Sequence, residues 1–203
     1  MKKKVVSFLV SGRGSNFKTV ADKILSGYIP ATPGIVLSNK PEAKALETAG
    51  KLGISALAIP PAEYGNRESH EEALIRELER HNTDLVVAAG YMRLLTAHFV
   101  QHFKNRIINI HPALLPSFPG IDAQKQAFEY GVKVTGCTAH FIDEGTDTGP
   151  IIIQQPVTVH EDDTVESLSK RILVEEHRVL PEAVKLFCEG KLRVKGRRVY
   201  IRG

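Results

Sequence analysis

Val5-Val6-Ser7-Phe8-Leu9-Val10-Ser11-Gly12-Arg13-Gly14-Ser15-Asn16 is the stretch on which the architecture turns. Its first half is apolar and rich in β-formers, and it stops at Ser11-Gly12. A run of this kind bounded by turn residues reads as a buried parallel strand. The glycines allow the chain to turn sharply, and a helix is expected to open near Ser15 or Asn16 with Val20, Ile24 and Leu25 on its inner face.

The same alternation runs outward from there. Residues 35–38 read as a second strand, and Pro41 suits the start of a helix reaching about Leu52 and stopping at Gly53. Residues 54–59 form a third strand closed by Pro60-Pro61, and residues 68–81 a charged surface helix with a narrow apolar stripe of Ala73, Leu74 and Leu78. A fourth strand over 85–89, a short helix opening at Thr96 and a fifth strand over 107–110 follow. Longer strands are expected over 132–142 and 151–159, on either side of a Gly/Asp/Thr loop. Residues 164–187 read as one long amphipathic helix, with Asp162, Asp163 and Glu166 at its positive end. The tail over 192–201 contains Lys195-Gly196 and reads as a hairpin. The expected class is therefore α/β, a doubly wound and mostly parallel sheet, with a long C-terminal helix and a terminal hairpin. No repeat or linker divides it, so residues 1–203 are expected to form a single domain.

Bulk properties narrow the class of function. With 203 residues and 42% hydrophobic content the chain can build a sizeable core. The two cysteines, Cys137 and Cys188, fit neither a CxxC motif nor a disulfide framework, which suits a reducing compartment. The lysines of Met1-Lys2-Lys3-Lys4 precede too short an apolar run for a secretory leader, and no stretch is long enough to span a membrane. A cytoplasmic protein is expected. The net charge of +4 helps to draw in anionic substrates, while the cluster of Lys191, Arg193, Lys195, Arg197, Arg198 and Arg202 reads as a solvated face rather than a nucleic-acid arm.

Three segments carry chemistry. Phe17 stands where a GxGxxG motif needs its third glycine, and Gly-Lys-Ser/Thr is absent, so the turn at 11–16 suits a single phosphate better than a dinucleotide. The bland reading is a tight turn with Ser15 as a cap. Asn109 and His111 lie two apart at the end of the fifth strand, so both project to one side of it, ahead of a loop stiffened by Pro112, Pro116 and Pro119. Of the eight histidines, His70, His81, His98 and His102 fall on expected surface helices. The loop of residues 143–149 lacks the calcium-binding pattern, and a zinc site from His111, His140 and Asp147 matches no ligand spacing. A carboxylate from this loop beside His111 would raise its pKa and make it a general acid near neutrality.

Together Ser11 to Asn16, Asn109 to Gly120 and His140 to Pro150, in this order and spacing, resemble the folate-dependent glycinamide ribonucleotide formyltransferase family over almost the whole chain. The resemblance implies a Rossmann-like formyltransferase fold and transfer of the formyl group of 10-formyltetrahydrofolate, a co-substrate, to the amine of glycinamide ribonucleotide in purine biosynthesis. By resemblance, Asn109, His111 and Asp147 match the catalytic residues, and Gly14, Ser15, Asn16 and Glu176 the ribonucleotide contacts. Arg67, Met92, Arg93, Leu94, Leu95, Asn109 and residues Asp143, Glu144, Gly145, Thr146 and Asp147 match folate contacts. No metal, nucleic acid or membrane is implied, and the chain is expected to be a monomer or homodimer. The alternatives are a formyltetrahydrofolate hydrolase, with water as acceptor, and a non-catalytic phosphometabolite-binding module. A tRNA-directed relative would need a further C-terminal domain.

Overall fold

The computed structural model describes residues 3–202, so Met1 and Lys2 of the basic start lie outside them. The described residues divide into two compact units whose boundary, between Ile108 and Asn109, falls inside one strand.

The first unit alternates strand and helix. It comprises β1 (Lys4–Val10), α1 (Ser15–Leu25), β2 (Ala31–Ser38), α2 (Lys44–Lys51), β3 (Ser55–Ala58), α3 (Arg67–Arg80), β4 (Leu85–Ala88), α4 (Ala97–His102) and the start of β5 (Ile107–His111). The strand order is β3-β2-β1-β4, with the β2/β3, β1/β2 and β1/β4 pairs all parallel, so the helices return the chain across the sheet. Val6, Phe8, Leu9 and Val10 of β1 are fully buried, and Phe8 meets Phe17 of α1 edge-on, with centroids 4.9 Å apart. Ser7 interrupts this apolar run for a reason. The β1–β2 register slips between Val6 and Phe8, and the Ser7 hydroxyl accepts from the Ile35 N–H at 3.1 Å while pairing with Thr83 Oγ1 at 2.7 Å. A buried hydroxyl placed this way satisfies the backbone that the bulge would otherwise strand.

The second unit contains the end of β5, α5 (Ala123–Tyr130), β6 (Val134–Phe141), β7 (Ile151–Thr158), α6 (Val165–Cys188), β8 (Leu192–Lys195) and β9 (Arg198–Ile201). After β5 the order is β6-β7-β9-β8, with β6/β7 and β8/β9 antiparallel and β7/β9 parallel. The inner stripe of α6, including Leu168, Ile172, Leu180 and Val184, is buried where the helix lies on β6 and β7. The fold is the expected α/β type: a mostly parallel sheet flanked by helices, with a long C-terminal helix and a terminal hairpin.

Some expectations are corrected. Leu25 is 52% exposed rather than on the inner face of α1. The helix expected from Pro41 begins at Lys44. α5 was not foreseen. His70 is 1% exposed, with Nε2 2.9 Å from the Ile59 carbonyl, so it is a core histidine and not a surface one. Among the described residues no helix is long and apolar enough to cross a membrane.

Candidate active site

The Gly-rich turn leaves β1 at Val10 and enters α1 through Gly14, which takes φ +73°. Ser15 is the first residue of the helix and not its cap, and no side chain caps the N-terminus. The leading N–H groups of α1 therefore face a cavity of about 210 Å³, lined by residues 11–16 with Ala89, Gly90 and Met92. An uncapped N-terminus at such a cavity favours an anion, through its free donors and its dipole. A side chain at Gly14 would bring a Cβ to 2.5 Å from that of Ala45, so close packing on α2 and the positive φ both require glycine here.

The next loop of this unit carries Met92, Arg93, Leu94 and Leu95. Met92 and Leu94 are 72% and 59% exposed, Arg93 and Leu95 are half-buried, and Arg67 of α3 donates through Nη2 to the Leu94 carbonyl. Burial pushes the Tyr91 phenol up to about 12.

In the second unit β5 presents Asn109 and ends at His111, which is buried. The β6–β7 connection brings Asp147 to it. Asp147 Oδ2 stands 3.3 Å from His111 Nδ1 and accepts from the Gly120 N–H at 2.8 Å. The other imidazole nitrogen, Nε2, is 2.8 Å from the Phe118 carbonyl. Both ring nitrogens of His111 thus face acceptors. His140 of β6 joins the cluster, with Nε2 3.3 Å from Asn109 Nδ2 and 3.6 Å from Asp147 Oδ1. Its Nδ1 sits 2.9 Å from the Phe141 carbonyl, which favours the proton there and leaves Nε2 to accept from Asn109. One amide hydrogen of Asn109 is then engaged and the other is available to a ligand.

The electrostatics correct one expectation. Desolvation by burial dominates at His111 and holds its pKa below the ordinary 6.5, despite the pull of Asp147 and the Phe118 carbonyl in the other direction. Burial also opposes ionisation of Asp147, but the neighbouring His140 and His111 imidazoles and the hydrogen bond from the Gly120 N–H more than offset it, so its carboxyl is held below the usual range. The two shifts describe an ionised carboxylate against a neutral imidazole, not an ion pair. When a proton does reach His111, both nitrogens already have acceptors.

Asp143 accepts from Gly145 N at 3.1 Å and Thr148 Oγ1 at 2.6 Å, which folds the loop on itself and leaves Glu144, Gly145 and Thr146 exposed. A Cβ at Gly149 would fall 1.7 Å from the Phe141 carbonyl oxygen, so the return of this loop to β7 admits only glycine. Glu176 is buried on α6, and its charge is the second cause, after burial, that pushes the Cys137 thiol up to about 12. A thiol so raised is no nucleophile at neutral pH.

The formyl transferase family model matches residues 3–184. The chain belongs to the formyl transferase family. Its relatives include phosphoribosylglycinamide formyltransferases and, at 26% identity and a TM-score of 0.92, a formyltetrahydrofolate deformylase from Pseudomonas syringae pv. tomato str. DC3000, covering 100% of this chain and 67% of that one. The Bacillus subtilis (strain 168) phosphoribosylglycinamide formyltransferase is 43% identical over 185 residues, covering 91% of this chain and 94% of that protein. The trifunctional purine biosynthetic protein adenosine-3 of Chironomus tentans is 45% identical over 194 residues; these are 95% of this chain but only 14% of that protein's length. Glycinamide ribonucleotide transformylase 1 from Symbiobacterium toebii superposes with a TM-score of 0.97 at 48% identity, covering 99% of this chain and 95% of that one. In this formyl transferase, the sequence names His140 only as a rejected zinc ligand and as the start of a resembling segment, without a role beside Asn109, and gives no sign of the Phe118 carbonyl. His140 sits in an apolar β-strand pattern, and a carbonyl leaves no side-chain signal at all.

Proposed function

We propose that this formyl transferase moves the formyl group of 10-formyltetrahydrofolate to the amine of glycinamide ribonucleotide, giving N-formylglycinamide ribonucleotide and tetrahydrofolate, with residues 1–203 acting as one formyltransferase domain. The observation that carries the reading is the cluster in which Asp147 lies 3.3 Å from His111 and His140 holds the Asn109 amide.

The amine nitrogen attacks the formyl carbon, the carbonyl electrons move to oxygen, and a tetrahedral oxyanion forms. The free N–H of Asn109 stabilises that oxygen, and the loss of one such donor typically costs about 3 to 4 kcal/mol. His111, neutral at rest, takes the proton that the attacking nitrogen sheds, exchanging its Phe118 contact for the substrate or a bridging water. Asp147 stabilises the imidazolium. The same proton then passes to the folate nitrogen as the bond between it and the formyl carbon breaks, so no acyl-enzyme is needed. We assign the ribonucleotide phosphate to the α1 N-terminus at Gly14, Ser15 and Asn16, and its glycinamide end to Glu176. Arg67, residues 92–95 and residues 143–147 are assigned to the folate.

The test is formyl transfer by the purified protein from 10-formyltetrahydrofolate, without added metal. Turnover that requires glycinamide ribonucleotide is expected. Deformylation with no acceptor requirement would instead make the chain a hydrolase, and binding of the ribonucleotide without either reaction would make it a non-catalytic module.

A further inference from the structure

The loop between β4 and α4 is irregular, yet its backbone is held at every second residue. The Met92 N–H donates to Ser11 Oγ at 2.8 Å, and Ser11 Oγ itself donates to Asn39 Oδ1 at 2.6 Å. The Leu94 carbonyl accepts from Arg67. The Thr96 N–H donates to both carboxylate oxygens of Glu71, at 3.0 and 3.2 Å, and the Thr96 hydroxyl donates to Oε2. With these backbone groups turned towards the protein, the side chains of Met92 and Leu94 are exposed. Apolar side chains held out on a pinned loop are suited to a ligand.

Glu71 is the unusual member of this set. It is 2% exposed, on the inner side of α3, and Arg67 Nε approaches it only to 3.7 Å. A carboxylate buried so completely must be hydrogen-bonded, and Thr96 supplies its close donors among the described residues. Loop and carboxylate therefore hold each other: if the loop departs, a buried charge is stranded. Thr96 also caps α4, accepting from the Phe99 N–H at 3.4 Å, so one carboxylate orients both the end of the loop and the start of the helix.

We infer that Glu71 is a positioning residue for folate, fixing the loop of residues 91–96 so that Met92 and Leu94 meet the co-substrate without Glu71 touching it. This rests on the assignment of that loop to folate made above. Glu71→Gln keeps a carbonyl oxygen for the Thr96 N–H but turns the Thr96 hydroxyl from donor to a carboxylate into acceptor from an amide, so the charge-assisted hydrogen bond is lost.

The expected result for Glu71→Gln is a KM for 10-formyltetrahydrofolate raised roughly tenfold, as loss of a charge-assisted hydrogen bond implies, with kcat and the KM for the ribonucleotide within about twofold of wild type. Thr96→Val should act in the same direction and Thr96→Ser should restore the wild-type value; this pair serves also if Glu71→Gln does not fold. Amide hydrogen exchange at residues 92–96 of the ligand-free protein gives a second readout, and should quicken in Glu71→Gln and Thr96→Val. A folded variant with an unchanged folate KM, or with kcat lost and KM retained, overturns the inference. If wild-type protein transfers no formyl group, the proposed function fails on its own. Exchange then decides whether Glu71 pins the loop: quickened exchange upholds the pin and unchanged exchange overturns it.

Discussion

Asp147 Oδ2 serves the His111 imidazole and the Gly120 N–H together, while Oδ1 faces His140. Asp147→Asn removes the charge that supports an imidazolium and turns one contact into a clash, so kcat/KM should fall by about two to three orders of magnitude with the fold retained; steady-state kinetics beside a thermal melt check this. The pH profile gives a sharper reading. His111 must be neutral to take a proton and its pKa lies below 6.5, so the acid limb of kcat/KM should fall below that pH. Asp147 is one of the groups that raise this pKa, so the residual activity of Asp147→Asn should show a limb displaced further to acid. A limb that moved to higher pH would contradict the assignment. At Gly14 the argument is steric: φ is +73° and an added Cβ would sit 2.5 Å from that of Ala45. Gly14→Ala should therefore lose about 1 to 3 kcal/mol of stability, the usual cost of overpacking, as measured by urea unfolding.

Among elements, α6 shows what a sequence can declare about itself. Thr164 accepts from the Ser167 N–H at 3.1 Å and the Ser167 hydroxyl accepts from the Thr164 N–H at 2.9 Å, a reciprocal cap readable in the Thr-x-x-Ser spacing. Asp163 beside it pairs with Arg171, which holds the Asp163 carboxyl well below the usual carboxylate range. Thr164→Ala should cost about 1 kcal/mol, read from the urea midpoint. α5 carries no such mark. Its N-cap is Asp122 in the left-handed region at φ +54°, without a side-chain cap, behind a loop whose prolines suggest continued irregular chain. Strands β1, β4 and β5 were legible because burial makes them largely apolar, with Ser7 the one polar residue inside β1 and Asn109 and His111 the polar residues of β5. The partners of the candidate site were legible only in part: Asn109 and His111 are neighbours on one strand, whereas Glu71 and Thr96 meet across 25 residues, where no local pattern reports the contact. His70 was misplaced for a related reason, since a histidine on a charged helix gives no sign that its ring turns inward onto Ile59.

At the scale of the whole molecule, three histidines drawn out of water, His70 and His111 buried and His177 half-buried, set how stability responds to acid. His70, His111 and His177 each titrate below 6.5, chiefly through desolvation. The unfolded chain takes up these protons at about pH 6.5 while the folded protein still refuses them, so stability is full above that pH and falls as pH drops from there towards the folded values. The depressed carboxyls of Asp147 and Asp163 act in a lower window: their contribution is present above the ordinary carboxylate pKa of 3.8 and is lost as pH falls through the folded values. Urea midpoints at successive pH values should therefore begin to decline near pH 6.5, before the carboxylates respond, and a flat profile down to pH 5 would contradict the burial of these rings. The terminal hairpin has a consequence of another kind. β8 closes the strand order and β9 touches β7 through the Ile151–Arg198 pair, so among the described residues one backbone side of β8 lacks a strand neighbour. An open strand is a template on which a second molecule can continue the sheet. Arg193 and Lys195 both stand exposed along β8, so a second copy approaching in register would meet its own positive charge. Like charge of this kind disfavours growth of the sheet along that edge, and it does so without a ligand.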